Sequence, residues 1–361
     1  MANLIEMLEF LLKIIKVEYS QDIAIVAYYG SYAQGTQNPK SDLDLFFIPS
    51  TDRGNDLANC IIYEGIGIDF FSISWERAER IANYEENIVS VIADCKLLYS
   101  KSEKDKEKFL SLQKTVKSYQ KPEKREEMLL KASKSLEEVY KPIYKINKSR
   151  NISEIRNESF HALVSILQAI LMINQTYSKS GWGKNFNQIF SLPIKPVDLE
   201  LTVEKIILGD SKKMVLNSLT NLFDKTEKII RNEINKTKKI KTYSEIFTNF
   251  YEELKSTFLK IKTACEKDQV EIAFCSAAIL QDEVRWCIQQ IGDEKIEKIF
   301  KELEPLKFYD PSNLMLLIKA TDKYEMELVK LLNKNDVLIK RINSLEEFQK
   351  FLCKNKYNLK I

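Results

Sequence analysis

Apolar and polar positions in the first hundred residues switch between two periods. Leu4 to Val17 carries apolar residues at helical spacing, interrupted by Glu6, Glu9, Lys13 and Lys16. This predicts an amphipathic helix with no signal-peptide core. Asp22-Ile-Ala-Ile-Val-Ala-Tyr-Tyr29 is a near-continuous apolar run and predicts a buried strand. Leu43-Asp-Leu-Phe-Phe-Ile48 and Ile66-Gly-Ile-Asp-Phe-Phe-Ser-Ile73 predict two more. Helical character follows from Trp75 to Tyr84, and Cys95 to Tyr99 reads as a short further strand. Three or four strands with flanking helices make a small mixed-sheet unit.

The pattern then turns helical. A charged stretch from Ser100 to Lys124, closing around Pro122, marks an expected boundary. Long helices are expected from Glu123 to about Thr237, with a strongly apolar face between Ser159 and Tyr177. Gly181-Trp-Gly183 to Pro196 reads as a loop. Helical periodicity returns at Tyr243–Cys265, Gln269–Ile291 and Ser312–Leu332. The fold class expected is α+β, a small sheet domain over 1–110 followed by a helical bundle over 120–240 and a further helical module over 241–361.

Composition narrows the class. Glycine and proline are scarce, at 9 and 8 in 361 residues, which agrees with many helices and short connections. A hydrophobic content of 44% with 30% charged residues fits a soluble globular protein, and no apolar run reaches membrane-spanning length. The net charge of +3 demands no nucleic-acid partner. Basic residues do crowd one stretch: eleven Lys or Arg against five Asp or Glu between Lys114 and Arg150. That is either a solvated helix face or a positive wall for polyphosphate. The six cysteines form no CxxC pair and read as reduced, mostly buried thiols of a cytoplasmic protein.

Chemistry concentrates in one segment, Gly30-Ser31-Tyr-Ala-Gln-Gly-Thr-Gln-Asn-Pro-Lys40-Ser41-Asp42-Leu-Asp44-Leu45. It leaves one predicted strand and enters another. Asp42 and Asp44 stand two apart on extended chain, so both project from one face. Paired carboxylates repel, and hard oxygen donors at that spacing suit Mg²⁺, which also holds substrate phosphates. Gly30 lets a backbone approach a phosphate closely, and Ser31 adds a hydroxyl and an N–H. Asp69, on the third predicted strand, completes a three-carboxylate cluster if that strand lies beside the second. Such a cluster can hold two metal ions for an in-line displacement.

This segment resembles the signature of the polymerase-beta nucleotidyltransferase superfamily, Gly-Ser, ten residues, then Asp-x-Asp. Tyr32 to Ser41 supply the ten without a gap. Within that superfamily it is similar to the minimal group and to the aminoglycoside (kanamycin-type) and lincosamide nucleotidyltransferases, over roughly residues 20 to 100. The resemblance implies two Mg²⁺ ions on Asp42, Asp44 and Asp69. It implies ATP or another nucleoside triphosphate held by Gly30 and Ser31, with Lys40 and Ser41 beside them. The implied reaction is transfer of AMP to a hydroxyl of a small molecule such as an aminoglycoside or lincosamide antibiotic, with release of pyrophosphate. Acidic residues around the acceptor would favour a cationic aminoglycoside. A homodimer is compatible with the sequence.

Other candidates lie in the helical part. The family supplies its acceptor-activating base from there, and Glu158 is the expected candidate here, with Glu154, Glu138 and Glu137 as alternatives. Lys145 and Lys148 are candidates for facing the triphosphate. Trp182, between two glycines, is a candidate for stacking on a base or sugar, although packing is the commoner use. The sole histidine, His161, with Arg156, forms an Arg-x4-His pattern. It resembles the ribonuclease motif of HEPN helical domains, and it supports the alternative of a toxin–antitoxin protein that acts on RNA or protein. The ordinary reading of the pair is a capped or salt-bridged helix start. A nucleotide-binding scaffold without turnover is a third reading, which intact carboxylates oppose.

Overall fold

A computed structural model describes residues 4–38, 41–237 and 242–357. The chain forms two compact units, one ending at Thr237 and one beginning at Lys238.

The first unit starts with helix α1 (Leu4–Glu18), then strand β1 (Ile23–Tyr28), a short helix α2 (Gly30–Gln34) and strand β2 (Leu43–Pro49). A hairpin of β3 (Asn59–Tyr63) and β4 (Ile66–Ser72) follows, then helices α3 (Trp75–Ala82) and α4 (Ser90–Ala93) and strand β5 (Lys96–Ser100). The sheet runs β3-β4-β2-β1-β5. Only β2 and β4 pair in parallel; the other neighbours are antiparallel. The mixed sheet confirms the α+β expectation, with one more strand than the pattern predicts. The missed strand is β3, an almost fully exposed edge strand without alternation. Its turn, Glu64-Gly65, has positive φ at both positions (48° and 80°), as a tight hairpin turn requires.

Strand pleating divides the side chains between two cores. Val26, Leu43, Leu45, Phe47, Ile68 and Phe70 pack beneath α1 through Ile15. Ala24, Ile25, Ala27, Phe46 and Ile48 face the helices on the opposite side. β1 is buried on both faces, which explains why its sequence is a continuous apolar run rather than an alternation.

The stretch 100–124, expected as a boundary, is mostly helix α5 (Glu103–Tyr119), capped by Ser102 accepting from the Asp105 N–H. Phe109, Leu112, Val116 and Tyr119 recur every three or four residues and bury themselves against the sheet and α3 and α4. Beyond it come α6 (Arg125–Glu137), α7 (Tyr140–Lys148), α8 (Ile152–Ile173), α9 (Phe186–Phe190), α10 (Leu199–Ile207) and α11 (Lys212–Thr237). α8 is the hub, packed on α6, α7 and α11. One apolar cluster runs from the sheet through α5 into this bundle, so sheet and bundle share a core. The segment expected as a loop from Gly181 to Pro196 contains α9.

The second unit comprises α12 (Tyr243–Phe247), α13 (Phe250–Glu266), α14 (Val270–Ile291), α15 (Glu294–Glu302), α16 (Met315–Lys334) and α17 (Leu345–Tyr357). α13 packs on both α14 and α16 around Phe258, Leu280 and Tyr324. Its buried Glu325 accepts from the Tyr251 hydroxyl at 2.7 Å and pairs with Lys255 and Lys262. No helix among the described residues is long and apolar enough to cross a membrane. Among the described cysteines, Cys95, Cys265 and Cys287 are buried and Cys60 and Cys275 exposed, all as free thiols; Cys353 lies among residues whose side chains are not described.

Candidate active site

The site forms where β1 ends. The Tyr29 N–H donates to the Asp44 carbonyl at 3.0 Å and keeps the two strands paired past the last residue of β1. The chain then turns at Gly30, with φ +70°. A Cβ at Gly30 would stand 2.2 Å from Oδ2 of Asp44. The backbone angle strains any other residue, and a side chain here would have to push the Asp44 carboxylate aside. The glycine therefore lets the first turn of α2, with Ser31, sit directly against the Asp44 carboxylate.

Asp42 precedes β2 and Asp44 lies within it, on the face of Phe46 and Ile48. Asp69 in β4 is the register partner of Asp44 across the parallel pair, so the two share that face. Cys60 is in turn the partner of Asp69 on β3, and its thiol donates to Asp69 Oδ1 at 3.1 Å. The carboxylates feel one another. Burial, then Asp42 and Asp69, raise the Asp44 pKa to about 6. Burial and then Asp44, Asp69 and Asp42 push the Tyr29 phenol above its usual range. Among the described residues no Lys or Arg forms an ion pair with Asp42 or Asp44. An anionic pair without a counter-charge is the donor set that a divalent cation relieves. Among the described residues, however, no three His, Cys, Asp or Glu converge closely enough to hold a metal by themselves. Mg²⁺ does not need such a cage, because it is commonly bound by one or two carboxylates with substrate phosphates and water completing its shell.

Gly30, Ser31, Ser41, Asp42 and Asp44 line one cavity of about 460 Å³. Asp69 lies one strand over, solvent-exposed and outside its wall. Ser41 is buried, and its hydroxyl accepts from the Asn38 N–H at 2.8 Å, which closes the turn ahead of Asp42. Lys40 lies outside the described residues. The opposite wall comes from 145 residues downstream, in the loop between α8 and α9. Lys179, Lys184 and Trp182 line the cavity there. The Gln34 side-chain amide of α2 donates to the Lys179 carbonyl. From its own side the loop is braced by Gln188, which accepts from the Lys179 N–H at 3.1 Å and donates to the Tyr177 carbonyl at 2.8 Å. Asn185, itself buried, donates to the Ser178 hydroxyl at 2.8 Å. Asn87, Ser90 and Val91, around the start of α4, complete the wall.

The other sequence candidates lie elsewhere. Glu158 pairs with Lys145 at 2.7 Å, so neither holds a free charge, and neither lines the cavity. Glu154 accepts from the Ser149 hydroxyl at 2.6 Å, Lys148 lies over the Tyr144 ring, and Glu137 and Glu138 are exposed. Arg156 and His161 are exposed on α8, about 140° apart around the helix. His161 meets the Phe160 ring edge-on. Among the described residues, the cations that line the cavity with the carboxylate pair are Lys179 and Lys184, which sequence reasoning missed although they flank the Gly-Trp-Gly loop it singled out. Trp182 both lines the cavity and packs against the main core.

A strand–turn–strand that presents two carboxylates under a Gly-Ser turn defines a nucleotidyltransferase, and a nucleotidyltransferase-domain family model matches residues 8–157. A second, the KNTase C-terminal domain, matches residues 106–235 and so covers most of α5 and the helical bundle behind it. Together the two models, over residues 8–235, indicate a nucleotidyltransferase of the polymerase-beta superfamily, kanamycin-nucleotidyltransferase type. The residues beyond 235, including the whole second unit, lie outside both matches. No curated protein matches the chain. Among solved structures, a nucleotidyltransferase-like protein from Exiguobacterium sibiricum 255-15 is similar at 12% identity. The match covers 68% of this chain and 86% of that one with a TM-score of 0.36, too low to carry an argument.

Proposed function

We propose that this nucleotidyltransferase moves AMP from ATP to a hydroxyl of a small molecule and releases pyrophosphate. The observation that carries this reading is one cavity that Asp42 and Asp44, with no ion-pair partner among the described residues, line together with Gly30, Ser31, Lys179 and Lys184. An anionic and a cationic group of residues lining one cavity suit a triphosphate bridged by divalent cations. Asp42 and Asp44 would hold Mg²⁺, which when bound neutralises the phosphates and favours attack at phosphorus. Ser31 and the first-turn amides of α2 meet phosphate oxygens, and Lys179 and Lys184 hold the β- and γ-phosphates as they become pyrophosphate. The acceptor oxygen forms a bond to the α-phosphorus as the bond to the bridging oxygen breaks, and pyrophosphate leaves with that electron pair. Asp69, on the same sheet face, would accept the acceptor's proton. The match to a kanamycin-type C-terminal domain supports a small, antibiotic-like acceptor over RNA or protein.

The test is a transfer assay with ATP or GTP labelled on the α-phosphate, offered aminoglycosides, lincosamides, RNA and protein, with Asp44→Asn as control. Label on a small molecule, lost in the control, is the expected result. Label on RNA or on protein overturns the acceptor class. Equal transfer by the control overturns the site.

A further inference from the structure

In the proposed transfer reaction the carboxylates divide the work. Asp42 and Asp44 would hold the cation beside the reacting phosphate, and Asp69, one strand over, would take the acceptor's proton. The acceptor oxygen has to come within roughly 3–3.5 Å of the phosphorus. The reacting phosphate is therefore confined between the Asp42–Asp44 pair and Asp69, and a protein group that stands there can touch it.

Tyr29 stands there. Its N–H is bonded to the Asp44 carbonyl, which fixes the residue beside β2. Its ring does not stay over β1. The ring centroid lies 6.2 Å from that of Phe46 on β2 and 6.0 Å, edge-on, from that of Phe71 on β4. Phe46 and Phe71 are register partners, two residues along from the partners Asp44 and Asp69 and on the same face. The ring thus leans across β2 toward β4, alongside the row of carboxylates. The charges that act on the phenol follow that placement, Asp44 most, then Asp69, then Asp42.

Tyr29 also lines the cavity, with Ser31, Asp42 and Asp44. Among the described residues its hydroxyl makes no hydrogen bond, to these carboxylates or to any other group. A phenol that is held among carboxylates and donates to none of them keeps its proton for a ligand. Such a donor gains roughly twice as much from an ionised acceptor as from a neutral one. Of the ligand groups that meet between Asp44 and Asp69, the acceptor hydroxyl is neutral and the α-phosphate is anionic.

Building on the proposed transfer reaction, we infer that the Tyr29 hydroxyl donates a hydrogen bond to a non-bridging oxygen of the nucleotide's α-phosphate. The contact orients the phosphorus toward the acceptor, and the phenolic proton stays on Tyr29 throughout. Packing on Phe46 and Phe71 holds the ring in place before the nucleotide arrives.

The experiment uses the full chain and needs no acceptor. Binding of ATP is measured first, with and without Mg²⁺. The wild type and Tyr29→Phe are then titrated, in Mg²⁺, with ATP and with each diastereomer of ATPαS, in which sulfur, a poor hydrogen-bond acceptor, replaces one or the other non-bridging α-oxygen. Phenylalanine keeps the ring and removes only the hydroxyl. Any effect of sulfur on the Mg²⁺ contact is common to both proteins and cancels in their ratio. Tyr29→Phe should bind ATP about fivefold more weakly than the wild type. That ratio should persist with one diastereomer and fall to within about twofold with the other. An unchanged ATP affinity, or the same ratio for ATP and both diastereomers, overturns the inference and leaves the transfer reading intact. ATP binding that does not require Mg²⁺ overturns the transfer reading, and the inference with it.

Discussion

Replacing Asp44 by Asn separates what the carboxylate does for chemistry from what it does to the fold. The side chain keeps its shape and loses its charge. Burial and the neighbouring Asp42 and Asp69 raise its pKa from 3.8 to about 6. In the metal-free protein at pH 8, the ionised form is therefore held against its preference. A shift of this size corresponds to roughly 3 kcal/mol if transmitted in full. The site is only about half buried, so solvent screening reduces this to about 1–2 kcal/mol. The folded pKa lies above the unfolded one, so the favourable contribution of the protonated form is complete below about pH 4 and is lost as pH rises through 6. Asp44→Asn should accordingly raise the melting temperature in EDTA at pH 8 by about 2–8 °C for a unit of this size, and change it little at pH 4.

Turnover should move the opposite way. An amide is a poor ligand for Mg²⁺, and losing the charge stabilisation of one metal should lower the transfer rate by roughly a thousandfold. Stabilisation by Mg²⁺ should also vanish in the variant. In the wild type it should weaken as pH falls below about 6, where the proton competes for Asp44. The assays are melting curves at three pH values with and without Mg²⁺, beside single-turnover transfer. A well-folded variant with near-normal turnover, or one that melts lower at pH 8 in EDTA, would refute the argument.

Gly30→Ala should abolish transfer while leaving most of the fold, because a Cβ there falls on the Asp44 carboxylate and φ +70° strains a side-chain-bearing residue; a loss of about 1–3 kcal/mol in urea melts and at least a hundredfold in rate is expected. Lys179→Met and Lys184→Met should each raise KM for ATP by about tenfold, an ammonium–phosphate contact at a partly exposed site being worth roughly 1–2 kcal/mol; an unchanged KM in both would remove the cationic wall from the mechanism. Glu158→Gln and His161→Ala should leave transfer within about twofold, since neither residue lines the cavity. Loss of RNA cleavage by the purified protein on His161→Ala would instead reinstate the ribonuclease alternative.

The parts of this site that could be read from sequence are those fixed by local geometry. Ten residues between Gly-Ser and Asp-x-Asp are enough for one short helix and a turn between paired strands, so spacing alone brings Gly30 against Asp44. Alternation within β2 and β4 puts Asp44 and Asp69 on one face, and their parallel pairing makes them neighbours. At Arg156 and His161 the same local logic says less: five positions apart on a helix, the two exposed side chains stand about 140° apart, and a motif match says nothing of what stands before it. β3 was hidden because an exposed edge strand has no face to bury, so its sequence carries no alternation. α5 was hidden in a charged stretch because its apolar stripe is narrow, four buried residues among seventeen.

The loop bearing Lys179 and Lys184 could not be read, because its position follows from closures that join distant segments. α8 ends at Ile173, and Gln175, with φ +51°, turns the chain back. The Gln175 amide donates to the carbonyls of Tyr119 and Lys121 at the end of α5, the helix that lies on the sheet. Two residues on, the Tyr177 hydroxyl donates to Asp94 at 2.8 Å, directly after α4, and its ring packs against Tyr84. Asn174 anchors the far side by exchanging hydrogen bonds with the backbone of Ile194. Each of these contacts is a polar side chain closing on backbone or a carboxylate across 20 or more residues, and none has a periodic signature. Together they leave the chain from Ser178 onward one place to go, over the end of β1, where Gln34 receives it. The carboxylates proposed to be catalytic are a property of a sixteen-residue segment. The lysines that line their cavity are placed by contacts across the whole first unit.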